Sequence, residues 1–340
     1  MALFSVVFAM TVLSPTRTSS SLVPGPLNTN LQTVHQFPDF TWMENMAVRK
    51  NGQILGTDLS AGKFYLVDPQ NPNLEPPVLA QFPDGSCVLG IAEVQEDVFY
   101  TQTIFGDGYT FNFQPNTSAF WEVDMRKYSE KSLATVRKIT DLPAVGLPNG
   151  MTLLSKDEGT VLIADSTRGL IWRVNVHTGT SEVVFDDPLL KPISGAEPSF
   201  GVNGVRIVDS LLYFTSYNQA LIASLPISHE GRPTGPATVI SSDVPTADDF
   251  AVDGHGNIWL TENVQNTLVR VSPNGQVQTI AGGPNSTDLI GPVSAAFGRG
   301  YDDRDTLYIS TDGLTFSASG KILTSNGKIA AIDTKHLCED

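Results

Sequence analysis

The sequence predicts an all-β protein, a six-bladed β-propeller whose blades are four-stranded antiparallel sheets. Six segments share one order of features: a strand, a polar turn, a second strand and usually a third apolar strand. They begin near residues 46, 90, 150, 204, 245 and 293. Their spacing of roughly 45 to 60 residues suits one blade per repeat. No window carries a sustained apolar i, i+3, i+4, i+7 pattern, and the 29 glycines and 22 prolines separate short strands.

One propeller domain is expected to span residues 22–340. A chain of 340 residues with 41% hydrophobic residues is long enough to bury one large core. Residues 33–40, TVHQFPDF, precede the first repeat. We expect them to supply a strand that closes the ring against the last blade.

The N-terminal residues indicate a secretory signal peptide, which we expect to comprise residues 1–21. MALFSVVFAMTVL is an apolar run followed by small polar residues. The run is shorter than the ~20 residues that span a bilayer. It lacks a positively charged start, so a disordered tail is the alternative. The predicted location of the mature protein is therefore the secretory pathway or the cell exterior.

Two further features fit a secretory route. Asn116 and Asn285 each begin an N-x-S/T sequon and are candidate glycosylation sites. Cys87 and Cys338 are the only two cysteines. They could pair in an oxidising compartment, and the sequence leaves this open.

The net charge restricts the kind of partner. At −15 it disfavours nucleic acids and anionic membranes, because binding to phosphates requires a basic surface. We therefore expect a monomer that binds small molecules, with no nucleic-acid partner and no membrane association after signal removal.

Polar side chains begin several of the innermost strands. Aligning each strand by its apolar alternation, in which side chains two apart share a face, places four of them at one position. These residues are Glu44, Asn149, Asn203 and Asp248. In this register Asp249 falls on the other face. The remaining two blades have Gly90 and Val293, which carry no ligand.

Because the inner strands of a propeller start at one end of a central channel, the four polar side chains should converge. Two carboxylates and two amide carbonyls form a hard oxygen site that suits Ca²⁺, Mg²⁺, Mn²⁺ or, less typically, Zn²⁺. The alternative is that these residues only cap turns before strands. No organic cofactor is expected.

A long aromatic segment should lie over this site. Residues 104–121 interrupt the second blade between its second and third strands, a connection that returns to the end where inner strands begin. The segment contains Phe105, Tyr109, Phe111, Phe113 and Phe120. Residues 311–327 occupy the same connection in the last blade. A lid over an apolar substrate and a cluster that packs on the rim are both consistent with the pattern.

We expect six aromatic residues to contact the substrate. They are Trp42, Phe105, Tyr109, Phe113, Phe250 and Phe316. A terpene would favour such walls, whereas a sugar lactone would favour polar ones. The five histidines lie outside the inner-strand starts, and no Ser-His-Asp arrangement is evident. Two mechanisms remain: a metal ion that activates water, and a pocket that positions two reactants.

At the four polar positions the chain resembles the senescence-marker-protein/gluconolactonase-like six-bladed propellers, over roughly residues 35–335. In that family a Glu of the first blade, Asn residues of the third and fourth, and an Asp of the fifth hold a divalent cation. Glu44, Asn149, Asn203 and Asp248 match these one by one. The family's Glu-Gly-Pro is ENM here and its Pro-Asp-Gly is ADDF, which alters the channel mouth.

The chain is most similar to a fungal branch of this family found in secondary-metabolite clusters. The segments NGMTLL, GLIWRV, GVNGVRI and DDFAVD carry the likeness. Some members of this branch are hetero-Diels–Alderases that join a tropolone-derived o-quinone methide to a humulene-type sesquiterpene. The resemblance implies a pericyclase with the four polar residues in its catalytic site. A metal-dependent lactonase and a non-catalytic binding propeller are the alternatives.

Overall fold

A computed structural model describes residues 30–129, 132–317 and 320–337. These residues form six four-stranded antiparallel blades, which confirms the predicted fold class. The predicted signal peptide and Cys338 lie outside the described ranges. Within those ranges, no helix is long and apolar enough to cross a membrane. Asn116 and Asn285 lie on exposed turns, and their glycosylation stays a prediction.

The strands follow one another in a regular order. The first strand is β1 (Gln32–Gln36). Blade 1 comprises β2 (Met43–Val48), β3 (Ile54–Asp58), β4 (Lys63–Val67) and β5 (Val78–Gln81). Blade 2 comprises β6 (Ser86–Gln95), β7 (Val98–Asp107), β9 (Ala119–Asp124) and β10 (Thr135–Asp141), with β8 (Asn112–Phe113) paired to β7. Blade 3 comprises β11 (Pro148–Ser155), β12 (Thr160–Asp165), β13 (Leu170–Asn175) and β14 (Ser181–Asp186).

The second half repeats the arrangement after a short 3-10 helix at Pro188–Leu190. Blade 4 comprises β15 (Val202–Val208), β16 (Leu211–Ser216), β17 (Leu221–Pro226) and β18 (Thr238–Ser241). Blade 5 comprises β19 (Ala247–Val252), β20 (Ile258–Glu262), β21 (Thr267–Val271) and β22 (Val277–Gly282). Blade 6 comprises β23 (Pro292–Phe297), β24 (Thr306–Thr311), β27 (Lys328–Asp333) and β1, and a hairpin of β25 (Leu314–Phe316) and β26 (Ile322–Ser325) precedes β27.

The ring closes through the first strand, as the sequence predicts. β1 pairs antiparallel with β27, from Gln32 opposite Ala331 to Gln36 opposite Lys328. The N-terminal strand is therefore the outermost strand of blade 6. Its backbone hydrogen bonds to β27 join the N-terminal and C-terminal parts of the chain and close the ring.

The hydrophobic core lies between neighbouring blades. Leu162 and Ile171 of blade 3, for example, form one cluster with Leu212 and Phe214 of blade 4. All six residues of β12 are buried, because a second strand is covered on both faces by adjacent blades. This packing fixes the innermost strands and hence the residues at their starts.

Candidate functional site

The structure brings the four predicted polar residues to one cavity. Glu44, Asn149, Asn203 and Asp248 are all buried and all line a space of about 50 Å³ where the innermost strands converge. They come from blades 1, 3, 4 and 5, so no two are contributed by one sheet. The site therefore depends on the assembled ring.

A β-bulge presents each of these residues. In blade 1 the pairing runs from Met43 opposite Asp58 to Met46 opposite Gly56, so two residues of the inner strand face one residue of β3. The same irregularity occurs at the start of every inner strand. A bulge bends the strand and re-aims its side chains. The first bulge residues of blades 1 to 5 line the cavity, and that of blade 6, Val293, does not.

The pairing corrects the predicted register in blade 2. Val88 lies opposite Thr103 and Ile91 opposite Thr101, so Leu89 is equivalent to Glu44. Gly90 is the second bulge residue and not the first. Leu89 lines the cavity and contributes an apolar wall where other blades contribute oxygen.

Close packing explains the glycines at the second bulge position. A Cβ on Gly150 would lie 2.5 Å from the carbonyl oxygen of Asn203, and one on Gly204 would lie 2.5 Å from Asp249 Oδ1. Real Cβ atoms do not approach backbone so closely, and glycine is the residue that permits such contact. These positions keep neighbouring blades tight around the site.

Asp248 lines the cavity and Asp249 does not, as the register predicts. Asp249 links neighbouring blades instead. Its carboxylate is fully buried, and Oδ2 accepts hydrogen bonds from Arg206 of blade 4 at 2.6 Å and from Ser294 of blade 6 at 3.1 Å. Asp249 therefore joins three blades one residue beyond Asp248 on the same strand.

Arg206→Met is expected to lower the free energy of unfolding by about 3–5 kcal/mol, because it leaves the Asp249 carboxylate buried without its cation. The double variant Arg206→Met/Asp249→Asn should lose less than the sum of the two single variants. Urea unfolding of the four proteins measures both quantities. Additive losses would show that the pair makes no coupled contribution.

Side chains of the second strands hold the bulges in place. Thr215 Oγ1 donates to the carbonyl of Asp248 at 2.6 Å, and Ser310 Oγ donates to the carbonyl of Glu44 at 3.1 Å. Gln102 Nε2 donates to the carbonyl of Asn149. Each bond runs from one blade to the next. The site residues are thus positioned by their neighbours as well as by their own strands.

A second ring of side chains comes from the second strands. In blades 1, 3, 4, 5 and 6 each member is the residue directly after the second strand, and in blade 2 it is the residue of β7 in the same register. In blade order it consists of Leu59, Ile104, Ser166, Tyr217, Asn263 and Asp312. The ring is apolar in blades 1 and 2 and polar in blades 3 to 6. Sequence reasoning missed it, although LYFTSY, IWLTEN and LYISTD carry the signal as apolar strands that end in a polar residue at one position.

Burial controls the charge of the carboxyl groups. It raises the pKa of Glu44 to about 8, against the opposing hydrogen bond from Trp42 Nε1 at 2.7 Å. Burial and the nearby Glu44 raise the pKa of Asp248 well above its ordinary value. Burial also raises the pKa of Asp312 to about 7, although Asn263 and the Leu314 amide donate to it. No lysine or arginine is among the described residues that line the cavity.

The donor atoms fit a hard divalent cation. Asn149 Oδ1 and Asn203 Oδ1 are buried and have no hydrogen-bond partner. Glu44 and Asp248 line the same cavity, and a cation would offset the repulsion between them. Among the described residues no group of three or more His, Cys, Asp or Glu side chains has the spacing of a metal site. A cation here would therefore depend on the two amide oxygens.

Aromatic side chains cover the apolar side of the cavity. The predicted connection between β7 and β9 is present but shorter than predicted, at residues 108–118, because 104–107 belong to β7 and 119–121 to β9. Its Phe111 and Phe113 line the cavity with Trp42. The Phe111 ring lies edge-on to Trp42 at 6.0 Å and to Phe200 at 5.3 Å between centroids. Phe200 precedes blade 4 and was not predicted.

Four other predicted substrate contacts do not line the cavity. Tyr109 packs behind it against Trp42, with ring centroids 6.0 Å apart. Phe250 follows the bulge and is buried in the core between blades 4 and 5. Phe316 lies in the β25–β26 hairpin and is 44% exposed, and Phe105 is a half-buried residue at the base of the lid segment. Three of the four belong to strands, since Phe105 lies in β7, Phe250 in β19 and Phe316 in β25, and only Tyr109 lies in a turn. Their strands direct the first three side chains away from the cavity lining.

The comparisons with known proteins agree with this architecture. No family model matches the chain. A Phoma sp. protein named "Putative hetero-Diels-Alderase" is 27% identical over 338 residues, covering 92% of this chain and 94% of that protein. The chain is similar to hetero-Diels–Alderases. A Sarocladium schorii protein with the same descriptive name is 27% identical over 364 residues, with coverage of 95% and 88%.

Solved structures resemble the chain in fold. A calcium-binding regucalcin of Agrobacterium tumefaciens superposes with a TM-score of 0.57 at 12% identity, covering 90% of this chain and 95% of that one. A luciferin-regenerating enzyme gives a TM-score of 0.61 at 11% identity, covering 91% and 95%. These likenesses show the propeller fold alone.

Proposed function

We propose that the protein is a pericyclase that catalyses an intermolecular hetero-Diels–Alder reaction of secondary metabolism. The proposed reactants are a tropolone-derived o-quinone methide and a humulene-type sesquiterpene. The two similar fungal proteins bear the name of this reaction type. The observation that carries the proposal is the division of one cavity into an aromatic side and an oxygen-rich side.

The apolar side suits the hydrocarbon reactant. Trp42, Leu59, Leu89 and the two lid phenylalanines line it. The polar side, with Asp248, Asn203 and Tyr217, suits the oxygenated reactant. A pocket that holds both in a reactive orientation can supply on the order of 7–11 kcal/mol of the barrier without a chemical group of its own.

Substrate entry requires the lid to move. The cavity of about 50 Å³ is far below the ~300–1,000 Å³ typical of small-molecule sites. Phe111 has a φ of +53° and Asn116 a φ of +63°, so the segment holds two non-glycine residues in the left-handed region. We propose that displacement of Phe111 and Phe113 opens the space that the reactants fill.

A divalent cation is part of the proposal as an optional component of the same site. Ca²⁺, Mg²⁺, Mn²⁺ or Zn²⁺ would be held by Glu44, Asn149, Asn203 and Asp248. When bound, it would act as a Lewis acid toward a substrate oxygen. With or without the cation, the residues of the polar side orient the oxygenated reactant, and those of the aromatic side exclude water.

The second candidate function is a metal-dependent lactonase, which the unpartnered amide oxygens of Asn149 and Asn203 favour. Incubation of the protein with both substrate classes, with and without EDTA, separates the two. We expect cycloadduct that survives EDTA and no lactone hydrolysis. Lactone hydrolysis that EDTA abolishes, with no cycloadduct, would establish the lactonase. Absence of any turnover would favour a binding propeller.

A further inference from the structure

Tyr217 occupies the polar half of the second ring. It follows β16 directly, and its amide donates to the carbonyl of Gly201 at 2.9 Å. Its ring lines the cavity and packs edge-on against Phe200, with centroids 5.9 Å apart. The backbone bond and the aromatic contact hold the phenol in one orientation beside Asp248 and Asn263.

Three other donors around the cavity are already engaged. Trp42 Nε1 donates to Glu44 at 2.7 Å, and Asn263 Nδ2 donates to Asp312 at 2.8 Å. The Asn203 amide bonds to Asp248. No described residue forms a hydrogen bond with the Tyr217 hydroxyl, which leaves it available for a ligand.

The surroundings also keep the Tyr217 hydroxyl protonated. Burial raises its pKa, and the neighbouring carboxyl groups of Asp248 and Asp312 raise it further. A phenol held in this form donates a hydrogen bond and does not act as a base. A neutral phenol at the cavity wall can therefore donate a hydrogen bond to an acceptor oxygen of a ligand.

We infer that Tyr217 is a catalytic residue whose hydroxyl donates a hydrogen bond to the carbonyl oxygen of the heterodiene, a role that rests on the proposed function. The cycloaddition forms one C–C and one C–O bond, and three π bonds become one. No proton is transferred, so the hydroxyl retains its hydrogen throughout. The hydrogen bond withdraws electron density from the heterodiene and strengthens as charge develops on oxygen.

Tyr217→Phe removes the donor and keeps the ring. We expect the rate constant for cycloaddition to fall about fivefold to tenfold, as for loss of one hydrogen bond in a buried site. Tyr213→Phe is the matched control, because Tyr213 lies in β16, the strand that Tyr217 follows, and is absent from the cavity lining. Thermal unfolding of both variants should show that each is folded.

The infrared carbonyl stretch of bound tropone, an unsaturated cyclic ketone, provides a readout that does not require turnover. Relative to free tropone, the stretch should move to lower frequency when tropone is bound to the wild type or to Tyr213→Phe. The shift should be smaller with Tyr217→Phe. An unchanged shift in Tyr217→Phe, or cycloaddition at the wild-type rate, overturns the role of Tyr217 alone. If cycloadduct is absent but tropone shows the Tyr217-dependent shift, the proposed reaction fails and the hydrogen bond stands. If the wild type does not bind tropone, both fail.

Discussion

Phe111→Ala and Phe113→Ala should each lower the rate of cycloadduct formation by roughly 10²-fold and loosen its stereochemistry. Each substitution removes a wall of the cavity. If correct placement supplies on the order of 7–11 kcal/mol, losing one of several walls costs about a quarter of it, roughly 2–3 kcal/mol. Asp248→Asn replaces the carboxyl group by an amide of the same shape, and one hydrogen bond contributes only about 1 kcal/mol. The expected order is therefore aromatic variants first and Asp248→Asn second.

Phe105→Ala serves as the control at the base of the lid. Phe105 lies near the end of β7, opposite Ser86, and does not line the cavity, so its effect on the rate should be smaller. Yield and stereochemical ratio of the cycloadduct are the measurements. Under the lactonase alternative the order reverses, because losing a ligand would remove both the Lewis acid and the activated water. Equal losses in Phe105→Ala and Phe113→Ala would instead indicate that the lid only unfolds.

The repeat structure of the chain was predictable because each blade repeats the same strand and turn pattern. The closing strand and the positions of both long connections followed from that pattern, since a connection returns to a fixed end of the sheet. The four polar residues were found because they share one place in it. What failed was the register in blade 2: Leu89 and not Gly90 takes the position of Glu44, because a bulge interrupts the period-two alternation.

The second ring shows a different limit of sequence reasoning. Tyr217, Asn263 and Asp312 come after their strands, and residues after strands are ordinarily expected to form turns. The backbone amide of each donates to the carbonyl of the residue just before an inner strand. Only this hydrogen bond shows that the three residues lie beside the cavity. Phe200 carried no signal, because it lies in a connection between blades whose path follows no repeat.

In the absence of divalent cations the protein should be less stable at pH 8 than at pH 5. Folding raises the pKa of Glu44 from its ordinary 4.5 to about 8 and that of Asp312 from 3.8 to about 7. Between its unfolded-state and folded-state pKa values, each carboxyl group is protonated in the folded protein and ionised in the unfolded chain. Its contribution to the free energy of unfolding is fully present below the unfolded-state pKa and is lost as pH rises through the folded-state pKa. At about 1.4 kcal/mol per pKa unit and group, the loss amounts to several kcal/mol.

Saturating Ca²⁺ should reduce this loss, because a cation bound by Glu44 and Asp248 would take the place of the protons. Glu44→Gln should also flatten the pH dependence in EDTA, since it removes one titrating group while keeping similar size. Urea unfolding at pH 5, 6, 7 and 8, in EDTA and in Ca²⁺, measures both effects. Stability that rises from pH 5 to pH 8 in EDTA would contradict the proposed charge state. If stability falls from pH 5 to pH 8 equally with and without Ca²⁺, protons and not Ca²⁺ neutralise the site. The oxygenated reactant would then meet neutral carboxyl groups beside Tyr217.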